Sequence, residues 1–136
     1  MNTKNIKLWT ILPCTAQKAY EAWLDSKIHG EMVDGNAKID PKINGEFSVW
    51  DKTITGKTIE IDPKKRRIVQ NWRYEYDNWP KEYFSKLTVE FVPFENGQCK
   101  LRMWQSQLPA EFADEIESGW KDYYFTPMKK YFASSK

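Results

Sequence analysis

Few residues in this chain carry reactive chemistry. Its 136 residues include one histidine, His29, and two cysteines, Cys14 and Cys99. The cysteines stand far apart and in no metal-like spacing, which points to reduced thiols rather than a disulfide framework or a zinc site. His29 sits in IHGEMVDG beside Glu31 and Asp34. A metal needs more ligands than these, and a general base needs an orienting partner that this stretch does not specify. His29 is therefore expected at the surface. There is no glycine-rich phosphate loop, nucleophile elbow, HExxH motif or pair of catalytic carboxylates. A formal charge of +2 gives no electrostatic ground for nucleic acid or an anionic membrane as partner. No apolar run is long enough to span a bilayer, and MNTKNIKLW lacks a signal-peptide core. The expectation is a cytoplasmic protein without cofactor or metal. No linker, repeat or low-complexity segment divides the chain, so residues 1–136 read as a single domain.

Aromatic side chains, by contrast, are plentiful: seven each of Trp, Tyr and Phe. They concentrate in the last stretch, Gln107–Phe132, QLPAEFADEIESGWKDYYFTPMKKYF. There Phe112, Ile116, Trp120, Tyr124 and Tyr131 recur at helical spacing, and Tyr123, Met128 and Phe132 widen the stripe. Pro109 suits a first helical position, acidic residues crowd the first turns, and Lys129 and Lys130 the last. Pro127 should bend the helix or loosen its final turns, because it lacks a donor and clashes one turn back.

Such a stripe needs a concave apolar partner, which the preceding chain can build. Asn5–Leu12 reads as a strand closed by Pro13. Thr15 can cap a short helix over Ala16–Leu24, and Ser26 a second one through about Met32. From Asn36 the apolar period becomes two and continues for six strands. Turns are expected at Asn44-Gly45, Asp51-Lys52 and Asp62-Pro63-Lys64-Lys65, and Asn96-Gly97 is the strongest hairpin signal. Consecutive strands with short turns give an antiparallel sheet with one apolar face, and the C-terminal helix is the element large enough to cover it. The fold expected is α+β, in β-α-α-β6-α order, a curved sheet around a long C-terminal helix.

Four stretches in that order resemble a known superfamily: AQKAYEAWL (16–24), GKTIEIDPKKRRIVQNWR (56–73), NWPKEYFSKLTVEF (78–91) and GWKDYYFTPMKKYF (119–132). The chain resembles the SRPBCC superfamily, also called START-like or Bet v 1-like, whose helix-grip fold has this element order. More narrowly it resembles the family named for the C-terminal domain of the Hsp90 ATPase activator Aha1. The N-terminal domain of that activator, which contributes a major contact to Hsp90, has no room in these 136 residues. The resemblance implies the helix-grip fold; it carries activity less directly, since one fold hosts many functions.

The residues leave three functions open. In the first, Trp72, Phe91, Met103, Trp120, Tyr124 and Met128 line a space between sheet and helix for a small apolar or aromatic ligand, as the superfamily often has. The competing structural account is that these side chains fill the core and leave less than the ~300 Å³ a pocket needs. Gln70, Arg73, Tyr74, Glu75 and Gln105 could place polar groups at the mouth, although Arg73 with a carboxylate can equally be a surface pair worth ~0–1 kcal/mol. In the second, the chain is a chaperone-associated module, and the basic run Lys64, Lys65, Arg66 and Arg67 meets an acidic surface of an Hsp90-type partner. As a hairpin turn, the same run is also a solvated face that discourages edge pairing. The third is an enzyme acting on a hydrophobic substrate, for which no catalytic residue can be named.

Overall fold

The computed structural model describes residues 1–134. Strand β1 (Thr3–Leu12) leads into helices α1 (Ala16–Leu24) and α2 (Ser26–Met32). Six strands follow: β2 (Ala37–Ile39), β3 (Glu46–Val49), β4 (Ile54–Asp62), β5 (Arg67–Tyr74), β6 (Ser85–Phe94) and β7 (Gln98–Pro109). Each pairs antiparallel with its neighbour, and β1 closes against β7, so the sheet runs β1-β7-β6-β5-β4-β3-β2. Register shifts between Lys4 and Ile6 in β1, and between Thr58 and Glu60 in β4, add local twist and help the sheet curve. The β6–β7 hairpin turns at Asn96 and Gly97, whose φ values of 57° and 74° give the left-handed pair that matches strand twist.

The helix starts are decided by local acceptors. Thr15 Oγ1 accepts from the Lys18 N–H at 3.1 Å and caps α1, as its sequence position suggests. The cap of α2 is Asp25 rather than Ser26: Asp25 is the last extended residue, and its carboxylate accepts from the Ile28 N–H at 3.0 Å. Ser26 instead ties α2 to β2, accepting from the Ile39 N–H at 2.7 Å and donating to the Ile39 carbonyl at 3.1 Å.

The C-terminal helix departs from expectation at Pro109, and its winding is irregular just ahead of Pro127. Pro109 ends β7, opposite Thr3, and the Ala110 N–H donates to the Asn2 carbonyl at 2.9 Å. Its φ of −55° would suit a helix start equally well, but its ψ of 128° keeps the chain extended. A single 3₁₀ turn (Ala110–Phe112) then leads into α3 (Ala113–Gly119), a π turn (Trp120–Phe125) and α4 (Thr126–Ser134). Within the π turn the Thr126 N–H reaches back five residues to the Lys121 carbonyl, which also accepts from Thr126 Oγ1 at 2.9 Å. The wide turn lies directly ahead of Pro127, and the helix continues through it.

This wide turn also keeps the apolar stripe in phase. Phe112, Ile116, Trp120, Tyr124, Met128 and Phe132 are all buried, each four residues from the last. In a pure α-helix a spacing of four advances about 40° per step, so the row would wind off the sheet. The additional residue in a π turn winds it back. Tyr123 falls outside the stripe at 65% exposure and Tyr131 is only half-buried.

Trp72→Ala should cost ~3–5 kcal/mol in denaturant unfolding, because its ring is fully enclosed between sheet and helix. Trp9→Ala, on the opposite face of the sheet, should cost less than about 1 kcal/mol.

Candidate functional site

The inner face of β5 presents Ile68, Gln70, Trp72 and Tyr74, all buried. The Trp72 ring centroid lies 5.0 Å from that of Trp120, and Trp23 of α1 stacks on Trp120 at 6.4 Å. Tyr124 sits 4.7 Å from Trp120 and 5.3 Å from Trp23. A buried indole must find an acceptor for its N–H, and two amides supply all three. Gln70 Oε1 accepts from Trp23 Nε1 at 3.2 Å and Trp72 Nε1 at 3.0 Å, while its Nε2 donates to Thr58 Oγ1 at 3.1 Å. Gln105 Oε1 accepts from Trp120 Nε1 at 2.8 Å, and its Nε2 donates to the Tyr74 hydroxyl at 3.2 Å and Ser85 Oγ at 3.1 Å. Gln70 and Gln105 are thus deep in the core and not at a cavity mouth. Arg73 and Glu75 form a surface pair at 3.7 Å.

His29 is buried at 2% exposure, contrary to the surface position its polar neighbours suggest. Helix α2 docks against α4 and turns the imidazole under the C-terminal helix. Its Nδ1 lies 2.8 Å from the Trp23 carbonyl, which can only accept, so Nδ1 carries the proton. Its Nε2 accepts from the Tyr124 hydroxyl at 2.7 Å. Burial pushes the His29 pKa down to about 4, partly offset by the bond to the Trp23 carbonyl. Burial likewise raises the Tyr124 pKa. The thiols of Cys14 and Cys99 are free, and burial pushes them to about 11 and about 12, away from nucleophilic thiolate.

Beside this packed cluster the grip opens into a cleft of about 880 Å³. Its walls are the end of α2 with the residues after it (Glu31 to Asp34), the β3–β4 turn at Trp50, Trp72 and Tyr74 of β5, and the C-terminal helix from Ile116 to Ser134. Trp50 lines the cleft. It begins a run of three left-handed residues, Trp50, Asp51 and Lys52, and its Nε1 donates to the Val33 carbonyl at 3.2 Å. Its ring meets Tyr124 at 5.5 Å. Gly35 makes that approach possible, since a Cβ there would lie 2.1 Å from Trp50 Cδ1.

Of the six side chains expected to line a space between sheet and helix, Trp72, Trp120 and Tyr124 border this cleft. Phe91, Met103 and Met128 are enclosed in the core away from it. The structure therefore combines a filled interior with an open end. Trp50 was not legible as a lining residue; the available signal was an aromatic residue directly after the inward-facing Phe47 and Val49, at a turn. In the basic run, Lys64 and Lys65 are exposed. Arg66 Nε donates to Gln17 Oε1 at 3.0 Å, and Arg67 pairs with Glu60 at 3.8 Å on the outer face of the sheet. Among the described residues no group of three or more His, Cys, Asp or Glu is arranged to hold a metal ion, and no helix is long and apolar enough to cross a membrane.

Comparison with known proteins agrees with this architecture. The family model described as "Activator of Hsp90 ATPase homolog 1-like protein" matches residues 13–133. A Dictyostelium discoideum protein named "Activator of 90 kDa heat shock protein ATPase homolog" is 26% identical over 98% of this chain and 34% of its own length. An uncharacterised Schizosaccharomyces pombe protein is 25% identical over 97% of this chain and 38% of its own. The chain thus spans little more than a third of these curated relatives. Among solved structures, a Plasmodium falciparum protein described as an HSP90 activator superposes with a TM-score of 0.83 at 20% identity, covering 95% of this chain and 96% of that one. This likeness shows the fold, the Bet v 1-like helix grip.

The buried polar groups generate two predictions. Gln105→Leu leaves the Trp120 N–H without its acceptor and should destabilise by about 1–3 kcal/mol in denaturant unfolding. His29 makes stability depend on pH. Below its ordinary value of 6.5 the unfolded chain takes up a proton that the folded chain refuses until about pH 4. Stability should therefore fall as pH drops through that window, by about 3 kcal/mol from this group. Unfolding curves between pH 7 and 4 should show a shallower slope in His29→Gln than in the parent.

Proposed function

The chain belongs to the family of activator of Hsp90 ATPase homolog 1-like proteins, and within that family we propose that it is a binding protein whose cleft takes a small apolar or aromatic molecule. The observation that carries this reading is the cleft itself. At about 880 Å³ it falls in the range of small-molecule sites, and Trp50, Trp72, Trp120 and Tyr124 give it large rigid ring surface. Aromatic walls suit a ligand that brings apolar area and little charge. The packed interior beside the cleft limits how far such a ligand can reach, so a compact molecule fits better than a long acyl chain.

A second reading is favoured by the family and by the name of the Dictyostelium relative. In it the chain acts as a chaperone-associated module on an Hsp90-type partner, through a surface that includes Lys64, Lys65, Arg66 and Arg67. The two readings use different parts of the molecule and are separable by mutation.

Gly119 provides the test. It lines the cleft, it has ordinary helical φ and ψ, and a Cβ there would meet only Tyr123 Cδ2 at 3.7 Å. Gly119→Leu should fill cleft volume while gaining about 0.5–1 kcal/mol of stability from the better helix former. Native mass spectrometry of gently recovered protein, beside a denatured control, should show a small adduct on the parent that Gly119→Leu loses. A parent without an adduct, under conditions where a chaperone co-purifies and is lost on Lys64→Glu with Lys65→Glu, would favour the second reading instead.

A further inference from the structure

The outer face of the sheet carries an arrangement that the cleft does not use and that shares only Arg67 with the basic surface of the second reading. The alternation that buries Leu101, Met103, Val89 and Ile68 turns Lys100, Arg102, Trp104, Thr88, Glu90 and Arg67 outward. Register places Lys7 opposite Trp104, Trp9 opposite Arg102, and Glu90 between Arg102 and Arg67. Cations and rings therefore alternate across strands. The Arg102 guanidinium lies 5.0 Å from the Trp104 ring centroid, Lys7 Nζ 6.0 Å from the same ring, and Lys100 Nζ 4.8 Å from Trp9.

Cross-strand cation–π pairs on an exposed sheet account for part of this. Three features exceed that account. Trp9 is 61% exposed, so a large apolar ring remains open to water on an otherwise charged face. Arg67 Nε is buried and has no hydrogen-bond partner; the carboxylate it pairs with, Glu60, is 3.8 Å away, beyond hydrogen-bonding distance. A buried donor without an acceptor is costly and rare. Finally, a recess of about 410 Å³ lies between Arg67, Thr88, Glu90, Arg102 and Trp104. Glu90 is the one carboxylate lining it beside two guanidiniums, Arg67 also meets Glu60 outside it, and both ion pairs are long at 3.8 and 3.7 Å.

We propose that this face docks an acidic polypeptide segment of another protein. A glutamate or aspartate side chain enters the recess and accepts from Arg67 and Arg102, and a neighbouring apolar side chain covers Trp9. Charge complementarity selects the partner: Lys7, Arg67, Lys100 and Arg102 outnumber Glu60 and Glu90 on this face, and planar guanidiniums suit carboxylate oxygens. A polypeptide fits better than single-stranded nucleic acid, which needs successive free ring faces for its bases. Here Trp104 is flanked by Lys7 and Arg102, and Glu90 would meet a phosphate at close range. The inference does not rest on the cleft.

Fluorescence anisotropy at low salt tests it, using a labelled peptide of glutamate, leucine and serine, its glutamine counterpart, and an oligouridylate of equal length. The glutamate peptide should bind about tenfold or more tightly than the glutamine peptide. Arg102→Gln and Trp9→Ala should each weaken it several-fold, Glu90→Gln should strengthen it, and Lys121→Gln on the C-terminal helix should leave it unchanged. Circular dichroism checks that each variant is folded. Absence of glutamate-peptide binding, tighter binding of the oligouridylate, or an equal loss in Lys121→Gln would each overturn the proposal.

Discussion

Three indole N–H groups converge in the middle of this protein, and the fold depends on finding acceptors for them. Packing Trp23, Trp72 and Trp120 together buries a great deal of apolar surface, but each ring also brings one polar atom out of water. Gln70 and Gln105 meet that demand from one cross-strand row, on β5 and β7 with Leu87 of β6 between them, and in doing so connect α1, the sheet and the C-terminal helix. These bonds are directional where the hydrophobic contacts are not. They fix which face of the helix lies against the sheet and how far along it sits. The His29–Tyr124 bond adds a further tie between α2 and the same helix.

With the interior set in this way, volume is left at the end of the grip that Trp120 and Tyr124 border. Trp120 and Tyr124 belong to both regions: one side of each ring is packed into the cluster and another borders the cleft. The walls of the cleft are therefore held by the same hydrogen bonds that hold the core. In the proposed binding role, such rigid rings would change little on filling, and selectivity would come from shape more than from side-chain rearrangement. Trp50 is the exception, because it hangs on a turn of three left-handed residues and is anchored by one bond to Val33.

Much of the architecture was legible because period and punctuation agree. Alternation from Ile68 to Tyr74, the Asn96-Gly97 turn and the spacing of Phe112, Ile116 and Trp120 each reflect a local rule that the tertiary fold respects. The misreadings share a cause: local signals with two solutions. Pro109 has a φ that serves a helix start or an extended end, and pairing with β1 decided for the latter. Ser26 and Asp25 are both good caps, and the chosen one was the residue left extended. His29, Gln70 and Gln105 were the harder cases. Nothing near a polar residue in sequence says that partners from distant strands and helices will enclose it, so such residues read as surface or mouth positions. The lining of the cleft was half legible for the same reason. The inward face of each element can be read from its own periodicity, whereas the boundary between filled and empty space depends on how several elements meet.

The π turn at Trp120–Phe125 bears on how relatives of this chain can be compared. The wide turn absorbs one residue's worth of rotation, about 100°, so removing one residue there would restore ordinary winding and leave Met128 and Phe132 on the sheet. The same deletion elsewhere in the helix would turn Met128 and Phe132 off the sheet and drive Lys129 toward it. A one-residue gap is thus a neutral shortening inside this turn and a change of face outside it. Two sequences that differ by such a gap present the same side chains along the lower wall of the cleft only when the gap falls within the turn.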